Sequence, residues 1–161
     1  YLRCSFLLCF LSCVIFIIGH DSFHLFYSVH ESADFGLIVR MPTKHHAFFE
    51  IFESYQTPID MLATSEVGVS MSIDNHSHLN EIVDELKKYG TVTVDTNMCI
   101  VCVVGDLDWS NLGFETIATD AMRDIPVRMI SYGGSNYNIS FLIKESDKKR
   151  ALQSLSDTLF K

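Results

Sequence analysis

The sequence predicts an α+β protein made of two related small units, and three observations carry that prediction. An order of helix, strand, strand, helix occurs twice after residue 47. The segment Thr57-Pro-Ile-Asp-Met-Leu62 is paralleled almost position for position by Ile125-Pro-Val-Arg-Met-Ile130. Between the helices the apolar residues alternate or run continuously, as strands on a half-covered or covered sheet require. With a flanking strand supplied to each, the plan is βαββαβ, an antiparallel sheet with helices on one face.

The elements follow in order. Phe48, Phe49, Phe52 and Tyr55 recur at helical spacing opposite Glu50 and Glu53. Thr57-Pro58 should end that helix, since proline disfavours a helical conformation in the residue before it. Ile59–Ala63 reads as a strand interrupted by Asp60. Val67, Val69, Met71 and Ile73 alternate with small polar residues in a second strand. A helix over His78–Tyr89 buries Leu79, Ile82, Val83 and Leu86, Gly90 closes it, and Thr91–Asp95 is a strand.

The second unit begins with the continuous apolar strand Met98–Val104. A loop to Gly113, a helix over Phe114–Arg123, a strand over Ile125–Ile130, a turn over Ser131–Asn138 and a strand over Ile139–Ile143 lead to a last helix, Ser146–Phe160. The predicted division is 1–46, an apolar or irregular segment; 47–97, the first unit; and 98–161, the second. Units this small bury little surface alone, so their packing together and dimerisation are expected.

Composition narrows the function. The 161 residues are 48% hydrophobic and 20% charged, which suits a packed core. A net charge of -8 excludes a phosphate-binding surface of clustered cations, so no nucleic-acid partner is expected. That charge lies wholly after residue 46, because residues 1–46 hold three basic and three acidic side chains. Five cysteines without regular spacing make no disulfide framework, and a reducing, cytoplasmic setting is the default. Cys99 and Cys102 read C-x-x-C within a β-type run; three apart on a strand they face opposite sides, so structural thiols are expected.

Leu2–Ile18 is almost wholly apolar. It reads as a signal-peptide core, a short membrane span, or part of a truncated or misread segment. The third reading is preferred and a membrane partner is not expected. The chain opens on Tyr1, no small-residue cleavage site follows Ile18, and residues 20–46 show neither period 2 nor 3.6. His20, His24, His30, His45 and His46 have no metal-ligand spacing, so no metal is expected.

No catalytic constellation emerges: the sequence holds neither a P-loop nor a nucleophile-elbow motif, and His76 and His78 read as solvated residues flanking a turn. The informative position is Asp60, a carboxylate near the turn Thr64-Ser65-Glu66. Such a pair can hold a zwitterion, the acid taking an ammonium and the turn's donors a carboxylate. An edge-strand charge with a plain turn is the competing reading. Gly133-Gly134 allows positive φ and close approach, or simply an ordinary turn.

Asp60-Met-Leu-Ala-Thr-Ser-Glu-Val-Gly-Val-Ser70, with Arg128-Met-Ile-Ser-Tyr-Gly-Gly-Ser-Asn-Tyr-Asn-Ile-Ser-Phe-Leu142, resembles the C-terminal regulatory region of aspartokinases. Ile100-Val-Cys-Val-Val-Gly105 and the ending Leu159-Phe160 fit too, and the T-S-E-V form resembles the lysine-sensitive, monofunctional type. The resemblance covers roughly Phe48 to the end. It implies two ferredoxin-like βαββαβ ACT units in tandem, controlling phosphorylation of L-aspartate by a kinase domain that this chain lacks. ATP and magnesium would belong to that domain, so no cofactor is expected here.

The implied effector is lysine, less favoured threonine, bound where two chains set their ACT units side by side as a homodimer. Asp60 would take its amino end, Pro58 and Ile59 would line the pocket with backbone, and Thr64, Ser65, Glu66 and Val67 would complete it. Gly113, Ser135, Asn136, Tyr137 and Asn138 would form the matching interface of the second unit. The departure lies just before the first helix. There Val39–His46 matches poorly, Met41 is the one echo, and Phe35–Met41 is a substitute strand. A free-standing ACT-type dimerisation module is the alternative function.

Overall fold

Strand Met98–Val104 organises the second half of the molecule, and it starts and stops where its apolar run does. The computed structural model describes residues 13–17, 26–30, 35–40, 45–105 and 113–159. In chain order the elements are β1 (Cys13–Ile17), β2 (Phe26–His30), β3 (Phe35–Arg40), α1 (His45–Ser54), β4 (Met61–Ser65), β5 (Gly68–Ile73), α2 (Leu79–Lys87), β6 (Thr91–Thr96), β7 (Met98–Val104), α3 (Phe114–Ala121), β8 (Val127–Ser131), β9 (Asn138–Lys144) and α4 (Lys148–Leu159). They form two antiparallel sheets, ordered β4-β5-β3-β6 and β1-β2-β7-β9-β8.

The first sheet with α1 and α2 is a complete βαββαβ unit: β3, α1, β4, β5, α2, β6. Its central β3 pairs with β5 on one side and β6 on the other, so Leu37 lies opposite both Met71 and Val94. The substitute strand expected over Phe35–Met41 therefore exists, one residue shorter, and the segment expected to be irregular holds the middle of a sheet. Alternation explains its core: Leu37, Val39, Val69, Met71 and Ile73 face Phe48, Phe52, Ile82 and Leu86 from the two helices. Each such side chain, fully buried, contributes about 1.5–3 kcal/mol.

The second unit runs β7, α3, β8, β9, α4, and the fourth-strand position beside β7 is filled by β2. Phe26–His30 pairs antiparallel with Ile100–Val104, and β1 extends the sheet beyond it. The core joins Val101, Val103, Phe141 and Ile143 to Ala118, Ala121, Ala151 and Leu155 of the helices. No helix among the described residues is long and apolar enough to cross a membrane. Of the apolar run Leu2–Ile18, residues 13–17 form β1; the rest of that run and the expected cleavage region after Ile18 lie outside the described residues.

Element ends differ from the sequence expectation for identifiable reasons. Helix α1 stops at Ser54 because Gln56 turns left-handed (φ 49°) and Thr57 N–H donates back to Phe52 C=O at 3.0 Å; Pro58 comes after the stop. Asp60 precedes β4 instead of interrupting it. Gly90 N–H reaches Leu86 C=O at 3.2 Å without a left-handed turn, for Gly113 and Gly133 are the positive-φ glycines among the described residues. The last helix begins at Lys148, after a 3₁₀ turn over Glu145–Asp147.

One residue, Asn97, carries the chain from the first sheet to the second, and its φ of 55° makes the bend. Its C=O accepts from Glu145 N–H at 2.9 Å, and Lys144 Nζ donates to Thr96 C=O at 2.9 Å. The units meet on a small apolar cluster, Met61 of β4 with Met98, Ile100, Met129 and Leu142. Arg128 Nε donates to Asp95 Oδ2 at 2.6 Å across the same junction.

Candidate functional site at the junction of the two units

Asp60 sits where α1 hands over to β4, and its backbone is fixed from below. Its N–H donates to Ser72 C=O at 3.0 Å, and the next N–H, of Met61, donates to Ser72 Oγ at 3.1 Å. Ser72 is fully buried, so both bonds are shielded from water and the start of β4 is held firmly. Met61 then turns into the apolar cluster between the units, leaving the Asp60 side chain exposed at the edge.

An open cleft of about 510 Å³ lies against Asp60 and Met61. Its far wall is built by alternation on β7: Ile100, Cys102 and Val104 share one face. Ser135, Tyr137, Asn138 and Ser140 line the rest, from the β8–β9 turn and the start of β9. Register sets them opposite the β7 residues, Cys102 across from Ser140 and Val104 across from Asn138. Gly133, at φ 92°, bends the turn, and Gly105 N–H fastens its end to Tyr137 C=O at 2.9 Å.

The polar groups of the cleft are linked. Ser140 Oγ donates to Cys102 Sγ at 3.3 Å, and Asn138 Nδ2 approaches Cys102 Sγ at 3.8 Å and Ser140 Oγ at 3.4 Å. Ser135 Oγ accepts Tyr137 N–H at 3.0 Å. The other cysteine of the C-x-x-C pair, Cys99, points to the opposite face into the helix-side core, where burial pushes its thiol up to about 11. The two sulfurs are thus on opposite sides of one strand. Among the described residues no group of three or more His, Cys, Asp or Glu could hold a metal ion.

The sequence-predicted residues do not all gather in one place. Asp60 joins Ser135, Tyr137 and Asn138 at the cleft, a meeting of the expected effector residue with the expected interface. Pro58 and Ile59 lie in the connection just before it. Thr64, Ser65, Glu66 and Val67 lie at the other end of β4 and its turn, roughly 13–17 Å along the strand. All four are exposed, and Ser65 Oγ donates to Gly68 C=O at 3.2 Å. Asn136 is exposed in the β8–β9 turn, Gly113 caps α3 at φ 87°, and Met41 lies outside the described residues.

His76 and His78 stay apart from the cleft, against the rings of Phe35 and Tyr55. Sequence reasoning missed Ser72, Cys102, Ser140 and the apolar lining. A serine inside the apolar run Ile139–Ile143 was the available signal for Ser140.

Two βαββαβ-type sheets joined through one residue, with a cleft between them, have the layout of a tandem pair of ferredoxin-like ACT units. The ACT domain family matches residues 101–159, the second unit. The solved structure of a C-terminal regulatory domain assigned to aspartate kinase in Porphyromonas gingivalis W83 is 46% identical. It aligns over 84% of this chain and 98% of its own, with a TM-score of 0.73. The chain belongs to the family of aspartate kinase C-terminal regulatory domains.

Curated relatives agree. An aspartokinase of Candida albicans is 36% identical over 70% of this chain and 23% of its own length. The chloroplastic aspartokinase 1 of Arabidopsis thaliana is 30% identical over 70% and 21%. The chain thus spans under a quarter of the length of these relatives. Escherichia coli aspartokinase III, solved with lysine and aspartate, shares the fold at 23% identity, with a TM-score of 0.68 over 88% of this chain and 33% of its own.

Proposed function

We propose that this chain is the effector-sensing part of an aspartokinase, binding lysine in preference to threonine and biasing a kinase domain that phosphorylates L-aspartate. The observation that carries this reading is the placement of Asp60: an exposed carboxylate whose backbone is locked onto buried Ser72. A carboxylate on an anchored backbone, beside apolar surface, suits a primary ammonium, because less of the chain has to be ordered when the cation arrives.

A homodimer completes the site. Strand β4 is the outermost strand of its sheet, and Leu62 and Val67 are exposed on and beside it. Antiparallel pairing of β4 with its copy across a two-fold axis sets Thr64–Val67 of one chain against Asp60 of the other. This supplies hydroxyls and backbone N–H groups for the effector carboxylate. ATP and magnesium would be handled by the kinase domain alone. Lysine would act by binding one arrangement of the units better than another.

Isothermal titration with lysine and threonine checks this. Heat is expected with lysine, and Asp60→Asn should weaken binding about tenfold or more, the scale of one charge-assisted hydrogen bond. Sedimentation should show the dimer favoured by lysine. A chain giving no heat with either amino acid would sink the effector reading.

A further inference from the structure

Strands β8 and β6 are outer strands of the two sheets, and their edges are protected differently. Strand β8 carries a register irregularity between Val127 and Met129 and the exposed cation Arg128, both of which discourage pairing with another chain. Strand β6 has neither. It pairs with β3 in unbroken register over six residues, and Thr91-Val-Thr-Val-Asp-Thr96 contains no proline, glycine, lysine or arginine. Among the described residues no strand pairs with its other edge, and the second unit's polar contacts to it are at Asp95 and Thr96.

We propose that β6 is a self-association edge, pairing antiparallel with β6 of a second copy of this chain about a two-fold axis at Thr93. The strand's own pattern is the reason for naming a second copy. Centred on Thr93 it reads nearly the same in both directions, as an isologous contact requires. Val92 of one copy then lies opposite Val94 of the other, twice, and Thr93 lies opposite itself. Both valines are half-buried against the first unit's core, so the pairing extends their burial.

On the other face Thr91 lies opposite Asp95, hydroxyl to carboxylate. The charges agree too. Arg40 of β3 is opposite Thr91, so it comes to stand two strands, about 10 Å, from Asp95 of the other copy. No like charges are set against each other. A ribbon this short buries well under the roughly 1,200 Å² of a stable interface, so association should be weak and grow with concentration. Strand β4 lies at the opposite edge of the sheet, so this contact and a β4 dimer are compatible and can be tested separately.

Cysteine substitution in the full chain reads the register directly. Thr91 and Thr93 are both exposed, so neither change disturbs the core. Thr93→Cys should cross-link to its copy under mild oxidation, because residues facing each other on the axis have Cα atoms about 4.5–5.5 Å apart, within disulfide reach. Thr91→Cys should not, since the two copies of that position lie four residues, roughly 13 Å, apart. Peptide mapping separates a bridge between the two engineered sites from links through the native cysteines. In sedimentation at rising concentration, Thr91→Lys should strengthen self-association about threefold by setting an ammonium opposite Asp95, and Thr93→Lys should weaken it by a similar factor.

Cross-linking of Thr91→Cys as fast as Thr93→Cys would overturn the proposal, as would a Thr93→Cys chain that does not cross-link. So would self-association indifferent to both charge changes. None of these readouts involves the amino-acid effector, so the outcome of the calorimetry leaves this contact untouched.

Discussion

Cys99 and Cys102 show how the direction in which a strand residue points sets its chemistry. Three positions apart on β7, they face opposite sides, Cys99 into the helix-packed core and Cys102 into the cleft. Desolvation raises the Cys99 thiol from 9.0 to about 11. Below about pH 9 the thiol is neutral in folded and unfolded chains alike and contributes nothing to pH dependence. Between 9.0 and about 11 the unfolded chain loses the proton while the folded chain keeps it, so stability falls as pH rises. The expected slope from this group is at most about 1.4 kcal/mol per pH unit. Urea unfolding of wild type and Cys99→Ala across that window checks it: the variant should show the shallower decline.

At the scale of elements, the start of β4 depends on Ser72 of β5. The buried hydroxyl accepts Met61 N–H, and the same residue's C=O accepts Asp60 N–H. Ser72→Ala leaves the Met61 N–H buried without its acceptor, which costs about 1–3 kcal/mol. The freed strand end should also weaken lysine binding, although Ser72 itself is buried beneath the site. Urea denaturation and titration calorimetry on the same preparation read both effects. A destabilised variant with unchanged lysine affinity would show that Asp60 is placed by something other than this anchor.

The same scale shows what could be read locally. Strand β7 matches its apolar run to the residue, since that run is buried along most of its length between two neighbouring strands. The end of α1 is misjudged by proline reasoning because a left-handed Gln56 stops the helix first. Asp60 was legible as an unusual charge; its Ser72 anchor was not, since the two are twelve residues apart and meet only through strand pairing.

Across the whole molecule, two kinds of contact join the units, and they should differ sharply in weight. Leu142 is buried at the junction with Met61, Met98, Ile100 and Met129, and its δ carbon would lie 3.3 Å from a Cβ added at Gly36 of β3. Leu142→Ala should cost roughly 2–5 kcal/mol, through lost burial and the cavity left behind. The Arg128–Asp95 pair is partly exposed to solvent, so Arg128→Ala should change stability by no more than about 1 kcal/mol. Chemical denaturation of the two variants separates these expectations. Equal losses would mean that the ion pair joins the units as strongly as the apolar cluster does.

The sequence by itself determined the two-unit α+β plan, the helical and strand periods after residue 47, and Asp60 as the residue to watch. These are properties of short stretches, where spacing of apolar side chains is the cause of structure. Only the tertiary structure decided that Phe35–Arg40 is the central strand of the first sheet and that Phe26–His30 stands beside β7 in the second. It also decided that Asp60 lines one cleft together with Ser135, Asn138 and Cys102. Pairings between segments roughly thirty to eighty residues apart arise from the packing of whole faces, and no local pattern in the chain encodes which partner a strand will find.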